Sequence, residues 1–332
     1  MVFGVFKGTS KLTTEVEFRQ FGRPVPDSGI GMRTDAYLGE FYRFRSRSEW
    51  QKRLRLGQVT VSGATVDPSR RLKGGESFAM IHSTYFDPPV NENIRRVWQK
   101  GAVMVVEKPA HLPMHETGRY RKTTFASLLV DHFGKEWAAV HRLDKETSGL
   151  VLCGATHSVR LQLAQGLEGR RIGKQYLAIA AGVAEESVFR VDAPVGDCED
   201  SLIRIKKWVV PGGLDAITDF CVEGTRFGWS LLRCHPKTGR TNQIRIHAAY
   251  SGMPLVGDKM YHPDEQVFLD YFIEGNSAAV IERAGFHRQA LHACYLRFEH
   301  PELRETCEVE IGMSDELQAL WDGQISLVPR QD

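Results

Sequence analysis

Apolar and polar positions in the first quarter of the chain follow helical and then alternating spacing, and they predict a small αβ unit. Apolar residues recur at helical spacing over 34–44, and Ser46 or Ser48 is a candidate cap for a second helix that Gly57 ends. The next segment, VTVSGATV, alternates as a strand does, and its Ser-Gly pair predicts a turn. A Gly-Gly turn and another short strand complete the unit. Residues 1–30 show no clear period, so we expect a loosely ordered N-terminal arm there.

The longer remainder of the chain follows an Asp-Pro-Pro linker and is rich in predicted strands. Short apolar or alternating runs predict strands at GAVMVVEKP, GLVLCG, KQYLAIAAG, ITDFCVEG, WSLLRCHP and QALHACYLRFEHP. Helical spacing predicts helices at TTFASLLVDHF, SVRLQLAQGLEGRR, TNQIRIHAAYSGMP and SDELQALWDG. Thr123 or Thr124 is the expected cap of the first of these helices, Thr238 or Thr241 of the third, and Ser314 of the last. We expect an α+β fold whose mixed, mostly antiparallel sheet is flanked by helices and loops.

Charge is distributed unevenly along the chain. Residues 1–85 contain 14 Lys and Arg against 8 Asp and Glu, whereas the remaining 247 contain 29 against 33. A small basic block joined to a larger, mildly acidic one is typical of a nucleic-acid-binding module attached to a second domain. The basic side chains that we expect to contact RNA are Arg43, Arg45, Arg47, Lys52, Arg53 and Arg55. The alternative for these residues is an ordinary solvated helix face.

Neither a membrane segment nor a metal site is indicated. The N-terminus has no continuous apolar stretch, and no run approaches the ~18 apolar residues of a spanning helix. The six cysteines are widely and irregularly spaced without a CxxC pair, which favours reduced thiols and argues against structural zinc. We therefore expect a cytoplasmic protein that has neither a membrane anchor nor a bound metal.

The segment HRLDKETSG carries the densest group of polar residues and precedes a predicted buried strand. Basic neighbours favour the ionised form of Asp144, and a carboxylate at such a junction can act as a nucleophile or a general base. Without further information the simpler explanation is a charged surface turn in which Asp144 caps Thr147 or Ser148. The residues alone do not choose between these two interpretations.

Two other segments are candidates for ligand contacts. The run PKTGRTNQIRIH places two arginines and a Gly-containing turn at the start of a predicted helix, an arrangement that suits a phosphate or carboxylate. It is equally compatible with an ordinary capped helix. Alternation places Lys174 and Tyr176 on one face of a strand, where the tyrosine is either a core aromatic or a platform for a base.

Taken together, these segments resemble the RluA-type pseudouridine synthases, which isomerise uridine in RNA. HRLDKETSGLVL is similar to that family's HRLD-x-x-TSGL signature, and KQYLA to its K-x-Y-x-A strand. PKTGRTNQIRIHAAYSGMPLVGDKMY, RQALHACYLRFEHP and VVEKPAHLPMH resemble three further family motifs, and the five occur in the family's order over roughly residues 100–302. The segment SRSEWQKRLRLGQVTVSG resembles the small S-four-like RNA-binding domain. The resemblance implies this domain at 31–85 and a pseudouridine synthase catalytic domain at 92–325.

The resemblance also implies a reaction and roles for individual residues. The enzyme would cleave the N1–C1′ bond of a uridine, rotate the base and join C5 to C1′, with no cofactor and no metal. Asp144 would be the catalytic carboxylate, either as nucleophile at C1′ or as base at C2′. Tyr176 would stack on the target base and could also help remove the C5 proton, and Arg245 would pair with Asp144. Arg142 would fill the gap left by the flipped uridine. The other expected substrate contacts are His141, Lys174, Arg240, Thr241, Gln243 and Ile246. Ile246, or alternatively Ile244, would form an apolar wall of the substrate pocket.

Several questions stay open at this level. Asn242 replaces a usual His of the family and His111 a common Gly, which affects the expected loop geometry. One rival is a catalytically inactive RNA-binding or ribosome-assembly protein. Another is a hydrolase that uses Asp144 with His141 and with Glu146 as the second carboxylate. The expected substrate is ribosomal RNA of the large subunit, with transfer RNA as the alternative, and the expected oligomeric state is a monomer.

Overall fold

The structure is a computed structural model that describes most of the chain: residues 5–8, 16–21, 24–42, 45–82, 87–117, 120 and 122–325. Contacts between Cα atoms divide the chain into two compact units, Met1–Phe86 and Asp87–Asp332. No helix in the described ranges is long and apolar enough to cross a membrane.

The described part of the smaller unit combines one antiparallel sheet with two α-helices and a short 3₁₀ helix. Its elements are β1 (Val5–Gly8), β2 (Val16–Phe21), the 3₁₀ helix (Asp27–Gly29), α1 (Thr34–Phe41), α2 (Arg47–Arg55), β3 (Val59–Val61), β4 (Ala64–Thr65) and β5 (Phe78–His82). The strand order is β1-β2-β5-β3-β4. Helix α2 begins where Ser46 Oγ accepts a hydrogen bond from the backbone N–H of Glu49 at 3.3 Å, so Ser46 is the cap. Trp50 and Leu54 on α2 are fully buried with Phe78 of β5 and form the core.

The N-terminal segment differs from the expected loosely ordered arm, because its described part contains two strands. In β2, Glu17 pairs with His82 and Phe21 with Phe78 of β5, and β1 pairs with β2 in turn. Alternation in VEFRQF breaks at its last two residues, so the strand signal is weak in the sequence. Cross-strand pairing supplies what the local pattern lacks.

The larger unit is built around one long mixed sheet. Its strands are β6 (Arg95–Lys100), β7 (Val103–Lys108), β8 (Ala138–Ala139), β9 (Ser148–Gly154), β10 (Gly173–Ala181), β11 (Val188–Asp192), β12 (Val195–Asp197), β13 (Lys207–Val209), β14 (Ile217–Arg226), β15 (Trp229–Pro236), β16 (Leu291–Glu299) and β17 (Thr306–Glu310). Its helices are α3 (Phe125–Phe133), α4 (His157–Glu168), α5 (Gln243–Tyr250), α6 (Gln266–Glu274), α7 (Ala278–Ala284) and α8 (Asp315–Trp321).

The strand order of this sheet places β16 between β9 and β10. The order is β11-β14-β15-β10-β16-β9-β7-β6, with β17 paired to β16 and β8 to β9, while β12 and β13 form a separate hairpin. The β9–β16 pair is parallel and the other pairs in the described part of this sheet are antiparallel. The predicted mixed, mostly antiparallel α+β fold is therefore confirmed. The buried faces of β7 and β9 pack against α3 on one side and α4 on the other.

Most of the predicted elements are present, but the cap of α5 differs from the prediction. Neither Thr238 nor Thr241 caps this helix, because it starts at Asn242, whose φ of 57° is left-handed and whose side chain makes no capping bond. Thr238 instead donates to the side chain of Gln243. Thr124 caps α3 as one of the two expected residues. Ser314 precedes α8, although its hydroxyl accepts from an arginine and not from the helix.

Candidate active site

Three chain segments meet in the middle of the larger sheet and surround a cleft of about 490 Å³. They are the loop 141–147 before β9, the first half of β10, and the turn 236–242 with the first turn of α5. Strand β16 connects them, because its Ala293 pairs with Gly149 of β9 on one side and with Tyr176 of β10 on the other. Strand order therefore brings together residues that are far apart in the sequence.

The carboxylate of Asp144 lies in this cleft and is held on one side only. Its Oδ2 accepts hydrogen bonds from Arg245 Nη1 at 3.0 Å and from Gln289 Nε2 at 3.2 Å. Within the described part of the chain Oδ1 accepts none. The side chain is 29% exposed, so this oxygen remains available to a substrate.

Arg245 is fixed from behind by a second carboxylate. Its Nε and Nη2 donate to the two oxygens of Asp258 at 2.6 and 2.8 Å, a bidentate pair. Its Nη1 then donates to Asp144 and to Asn242 Oδ1, both at 3.0 Å. Burial alone would lower the pKa of Arg245, but Asp258 and Asp144 raise it, so the buried guanidinium keeps its charge. The Tyr261 ring lies 5.0 Å from the guanidinium carbon.

Tyr176 forms an aromatic wall of the cleft near Asp144. Its ring packs against two groups of core residues, which include Leu143 on one side and Ile244 on the other. Its hydroxyl makes no hydrogen bond to any described residue. Burial, reinforced by the charge of Asp144, raises the pKa of Tyr176, so the phenol is neutral at physiological pH.

Glu146 belongs to the same loop as Asp144 but faces a different environment. Its oxygens lie 3.3 and 3.4 Å from Lys259 Nζ, and they accept from the Tyr271 hydroxyl at 3.2 Å and the Gln289 N–H at 3.1 Å. Burial alone would raise the pKa of Glu146, but Lys259 and the other donors lower it. Glu146 does not line the cleft.

Comparisons with known proteins agree with this arrangement. The sequence model of the RNA pseudouridylate synthase family matches residues 102–250. Ribosomal large subunit pseudouridine synthase D of Xanthomonas campestris is 32% identical over 308 residues, which are 89% of this chain and 90% of that protein. Its counterpart in Vibrio parahaemolyticus is 31% identical over 306 residues, or 89% of this chain and 92% of that one. The chain belongs to the RluA-type pseudouridine synthase family.

Solved structures of similar fold include two human proteins. Human RNA Pseudouridylate Synthase Domain Containing 4 aligns with a TM-score of 0.52 at 20% identity, covering 68% of this chain and 91% of that one. Human RNA Pseudouridylate Synthase Domain Containing 1 aligns with a TM-score of 0.52 at 23% identity, covering 74% of this chain and all of that one. These likenesses show the shared fold. As a member of the family, this pseudouridine synthase is an isomerase that acts on RNA.

Most of the substrate contacts expected for this pseudouridine synthase line the cleft, but Ile246 does not. The cleft-lining residues among them are His141, Arg142, Lys174, Arg240, Thr241 and Gln243. Ile246 is fully buried between Ala216 and Tyr261, so its assignment to the substrate pocket is wrong. Two residues along a helix differ by roughly 200°, so only one of Ile244 and Ile246 can face the cleft, and that residue is Ile244.

Three of these cleft residues use polar atoms within the protein, and one of them is Arg240, whose Nε donates to the backbone carbonyl of Asp215 at 2.9 Å. The Gln243 amide accepts from Thr238 and Arg240 and donates to Ile217 and Thr218 in bonds of 2.7 to 3.0 Å, which fixes the turn before α5. His141 Nε2 accepts the N–H of Leu152 at 3.0 Å. Burial lowers the pKa of His141 to about 3, so this ring is neutral. In contrast, the exposed side chain of Arg142 makes no hydrogen bond or ion pair within the described ranges.

Two residues that hold Asp144 in place are not predicted from the sequence. Asp258 anchors Arg245, and Gln289 donates to both Asp144 and Thr147, the latter at 2.8 Å. Asp258 lies in the motif segment GDKMY and Gln289 in RQALHA. Their position within motifs that resemble those of the family is the feature of the sequence that could have identified them. The Asn242 departure from the family pattern contributes directly, because its amide bridges Arg245 and the Tyr261 hydroxyl. His111 adopts a left-handed φ of 62°, the conformation that a glycine at that position allows freely.

The basic residues expected to bind RNA in the smaller unit are partly engaged in ion pairs. Arg45 and Arg53 both pair with Glu49, and Arg47 pairs with Asp35 at 3.1 Å. Lys52 and Arg55 are exposed on α2 without an ion pair to a described residue. Arg43 lies outside the described residues.

Proposed function

We propose that this enzyme converts specific uridines of large-subunit ribosomal RNA to pseudouridine, with Asp144 as the catalytic carboxylate. The assignment of Asp144 rests on the different surroundings of its two carboxylate oxygens. Oδ2 accepts hydrogen bonds from Arg245 and Gln289, whereas Oδ1 is open to the cleft. The names of the relatives support ribosomal RNA as the substrate class. We place the enzyme in the cytoplasm as a monomer, as the sequence predicts.

The reaction in this proposal conserves atoms within the nucleoside. The N1–C1′ bond breaks, the base turns, a C5–C1′ bond forms, the proton leaves C5 and N1 gains one. Oδ1 of Asp144 either attacks C1′ or removes the C2′ proton, and Arg245 orients the carboxylate in both alternatives. The neutral phenol of Tyr176 supports stacking on the base over proton removal.

A uridine must leave its helix or loop to reach this cleft. Arg142 lines the cleft, is exposed, and makes no side-chain hydrogen bond or ion pair to a described residue, which supports its insertion into the gap left by the base. Lys174, Arg240 and Thr241 then bind the phosphates or the ribose. In the smaller unit, α1, α2 and the β3–β4 hairpin support the S-four-like RNA-binding assignment over residues 31–85, and Lys52 and Arg55 are exposed cations there without an ion pair to a described residue.

Asp144→Asn tests the assignment directly. The substrate is RNA from cells that lack the gene, and pseudouridine is mapped by carbodiimide labelling and primer extension. We expect the variant to bind this RNA as the wild type does and to form no pseudouridine. Asp131→Asn on the exposed face of α3 is the matched control and should leave conversion unchanged. Conversion by Asp144→Asn at the wild-type rate would remove Asp144 from the mechanism.

A further inference from the structure

A second cavity opens from the active-site cleft at the rim of the sheet. It has a volume of about 420 Å³ and shares five lining residues with the cleft, Lys174 and Lys237 among them. We call it the rim notch; its lining residues are Arg170, Ile172, 173–175 of β10, 235–236 of β15, the following Lys237, and Tyr295 and Arg297 of β16.

The rim notch exists because two strands beside β10 begin their pairing at different points. Strand β16 pairs with β10 from Gly173 onward, whereas β15 pairs with it only from Tyr176. The backbone at 173–175 therefore has a neighbour on one side and an opening on the other. Such an opening exposes unpaired peptide groups to a ligand.

The charge along the cleft and the rim notch is the opposite of that of the unit around them. The part of the chain from residue 87 onward carries 29 Lys and Arg against 33 Asp and Glu. The described residues that line the two cavities nevertheless include seven Lys and Arg but only two carboxylates, Asp144 and Glu168. The rim notch itself has four cations, and none of its described lining residues is acidic. A continuous cationic path on an acidic body attracts a polyanion.

Two of the rim-notch cations have no side-chain partner among the described residues. The side chains of Arg170 and Lys174 make no hydrogen bond or ion pair to any described residue, and burial lowers the pKa of Lys174. A partly buried ammonium group without a counterion is unfavourable, and a phosphate would compensate it. Lys237 and Arg297 are exposed side chains that pair with Asp219 at 3.2 Å and with Glu308 at 3.4 Å, contacts that water weakens.

We propose that the rim notch binds the backbone of the substrate RNA next to the uridine held in the cleft. Arg170, Lys174 and Arg297 contact successive phosphates, and the half-buried ring of Tyr295 lies beside them as a platform for a base. This proposal rests on the proposed function, because it requires that the cleft binds a uridine. It adds a path along which the RNA leaves the active site.

Arg297→Gln tests the rim notch, because Arg297 lines this cavity and not the cleft. Arg304→Gln is the matched control: Arg304 is also an exposed arginine, and its contact with a glutamate is likewise 3.4 Å long. The probe is a fluorescein-labelled twelve-nucleotide oligouridylate, whose dissociation constant is measured by anisotropy with the full chain across a salt series.

We expect Arg297→Gln to weaken binding by about fivefold at low salt. The log of the association constant should also fall less steeply with the log of the salt concentration, its slope being smaller in magnitude by about 0.7. Arg304→Gln should change neither quantity. A wild-type dissociation constant and slope in Arg297→Gln, or an equal change in both variants, would overturn the proposal. Asp144→Asn should bind the same probe normally, so a failure of the proposed chemistry would appear in pseudouridine mapping and leave the anisotropy result intact.

Discussion

The contact between Gln289 and Asp144 leads to a specific prediction about turnover. Gln289→Met keeps a side chain of similar size but removes the N–H donor that lies 3.2 Å from Asp144 Oδ2. The backbone hydrogen bond from residue 289 to Glu146 is retained. Arg245 then holds Oδ2 alone, and the carboxylate is free to rotate so that Oδ1 no longer points consistently into the cleft.

The size of the effect follows from the kind of bond that is lost. A hydrogen bond to a charged group contributes about 1.5–3 kcal/mol, which corresponds to a fall in kcat of roughly 10- to 150-fold. Gln289 is buried and does not line the cleft, so we expect KM for RNA to stay within about twofold. The change therefore separates positioning of the carboxylate from binding of the substrate.

The measurement is tritium release from RNA labelled at uridine C5, under single-turnover and steady-state conditions. Thr147→Val is the control, because it removes the other acceptor of the Gln289 amide while keeping the contact with Asp144. We expect this control to retain kcat within about threefold. Wild-type kcat in Gln289→Met, or an equal loss in both variants, would refute the positioning role.

Three further predictions concern other parts of the molecule. Arg142→Ala should lower kcat/KM by about 10- to 100-fold for a uridine in a paired stem but little for one in an unpaired strand, because extruding a paired base costs more free energy. Tritium release from the two kinds of RNA measures this difference, and equal losses of kcat/KM on both would contradict the prediction. Gly149→Ala should lower the free energy of unfolding by at least about 4 kcal/mol, since the new Cβ would lie 2.2 Å from Ala293 O. Gly212 also has a positive φ but has open space around it, so Gly212→Ala should lower the free energy of unfolding by only about 1–2 kcal/mol; urea titration measures both variants. Asp35→Asn should destabilise the smaller unit by about 1.5–3 kcal/mol, measured by hydrogen exchange of α1 and α2 in the full chain.

The Asp35 prediction also has a defined pH dependence. Burial alone would raise the pKa of Asp35, but hydrogen bonds from Arg33, Gln51 and Arg47 hold it well below its usual value. A carboxyl group whose pKa is lower in the folded state stabilises the fold above its unfolded pKa of about 3.9, and this stabilisation is lost as the pH falls below that value. Asp35→Asn should therefore flatten the acid dependence of exchange in α1 and α2; an acid dependence equal to that of the wild type would exclude the ion-pair explanation.

The sequence was most informative where a site residue and its function are encoded in one continuous segment. Asp144 and Arg245 could each be selected from a local motif, and their 3.0 Å contact was expected from the family resemblance. Gln289 could not be selected in this way, because it lies 145 residues from Asp144 and reaches it only through the position of β16. The pattern of apolar and polar residues within β9 or β16 does not indicate that these two strands pair in parallel.

The prediction for Ile246 failed for a local reason that helix geometry could have revealed. Positions 244 and 246 cannot face the same cleft, and the sequence does not show which of them is oriented toward it. The start of α5 at a left-handed Asn242 determines that orientation. The missed edge strand β6 has mostly exposed residues, so it lacks the apolar alternation on which strand prediction depends.

The environments of the two carboxylates in the loop after β8 support the proposal that Asp144, and not Glu146, acts on the substrate. The sequence alone left open a hydrolase in which Glu146 activates water opposite Asp144. The structure shows Glu146 with only 13% of its side chain exposed and with Lys259, Tyr271 and Gln289 as donors. It therefore has neither access to the cleft nor an unengaged oxygen that could take a proton from water. Asp144 receives its donors on a single oxygen, and its other oxygen accepts no hydrogen bond from a described residue. Of the two carboxylates in this loop, only that of Asp144 is therefore available to react with a substrate in the proposed mechanism.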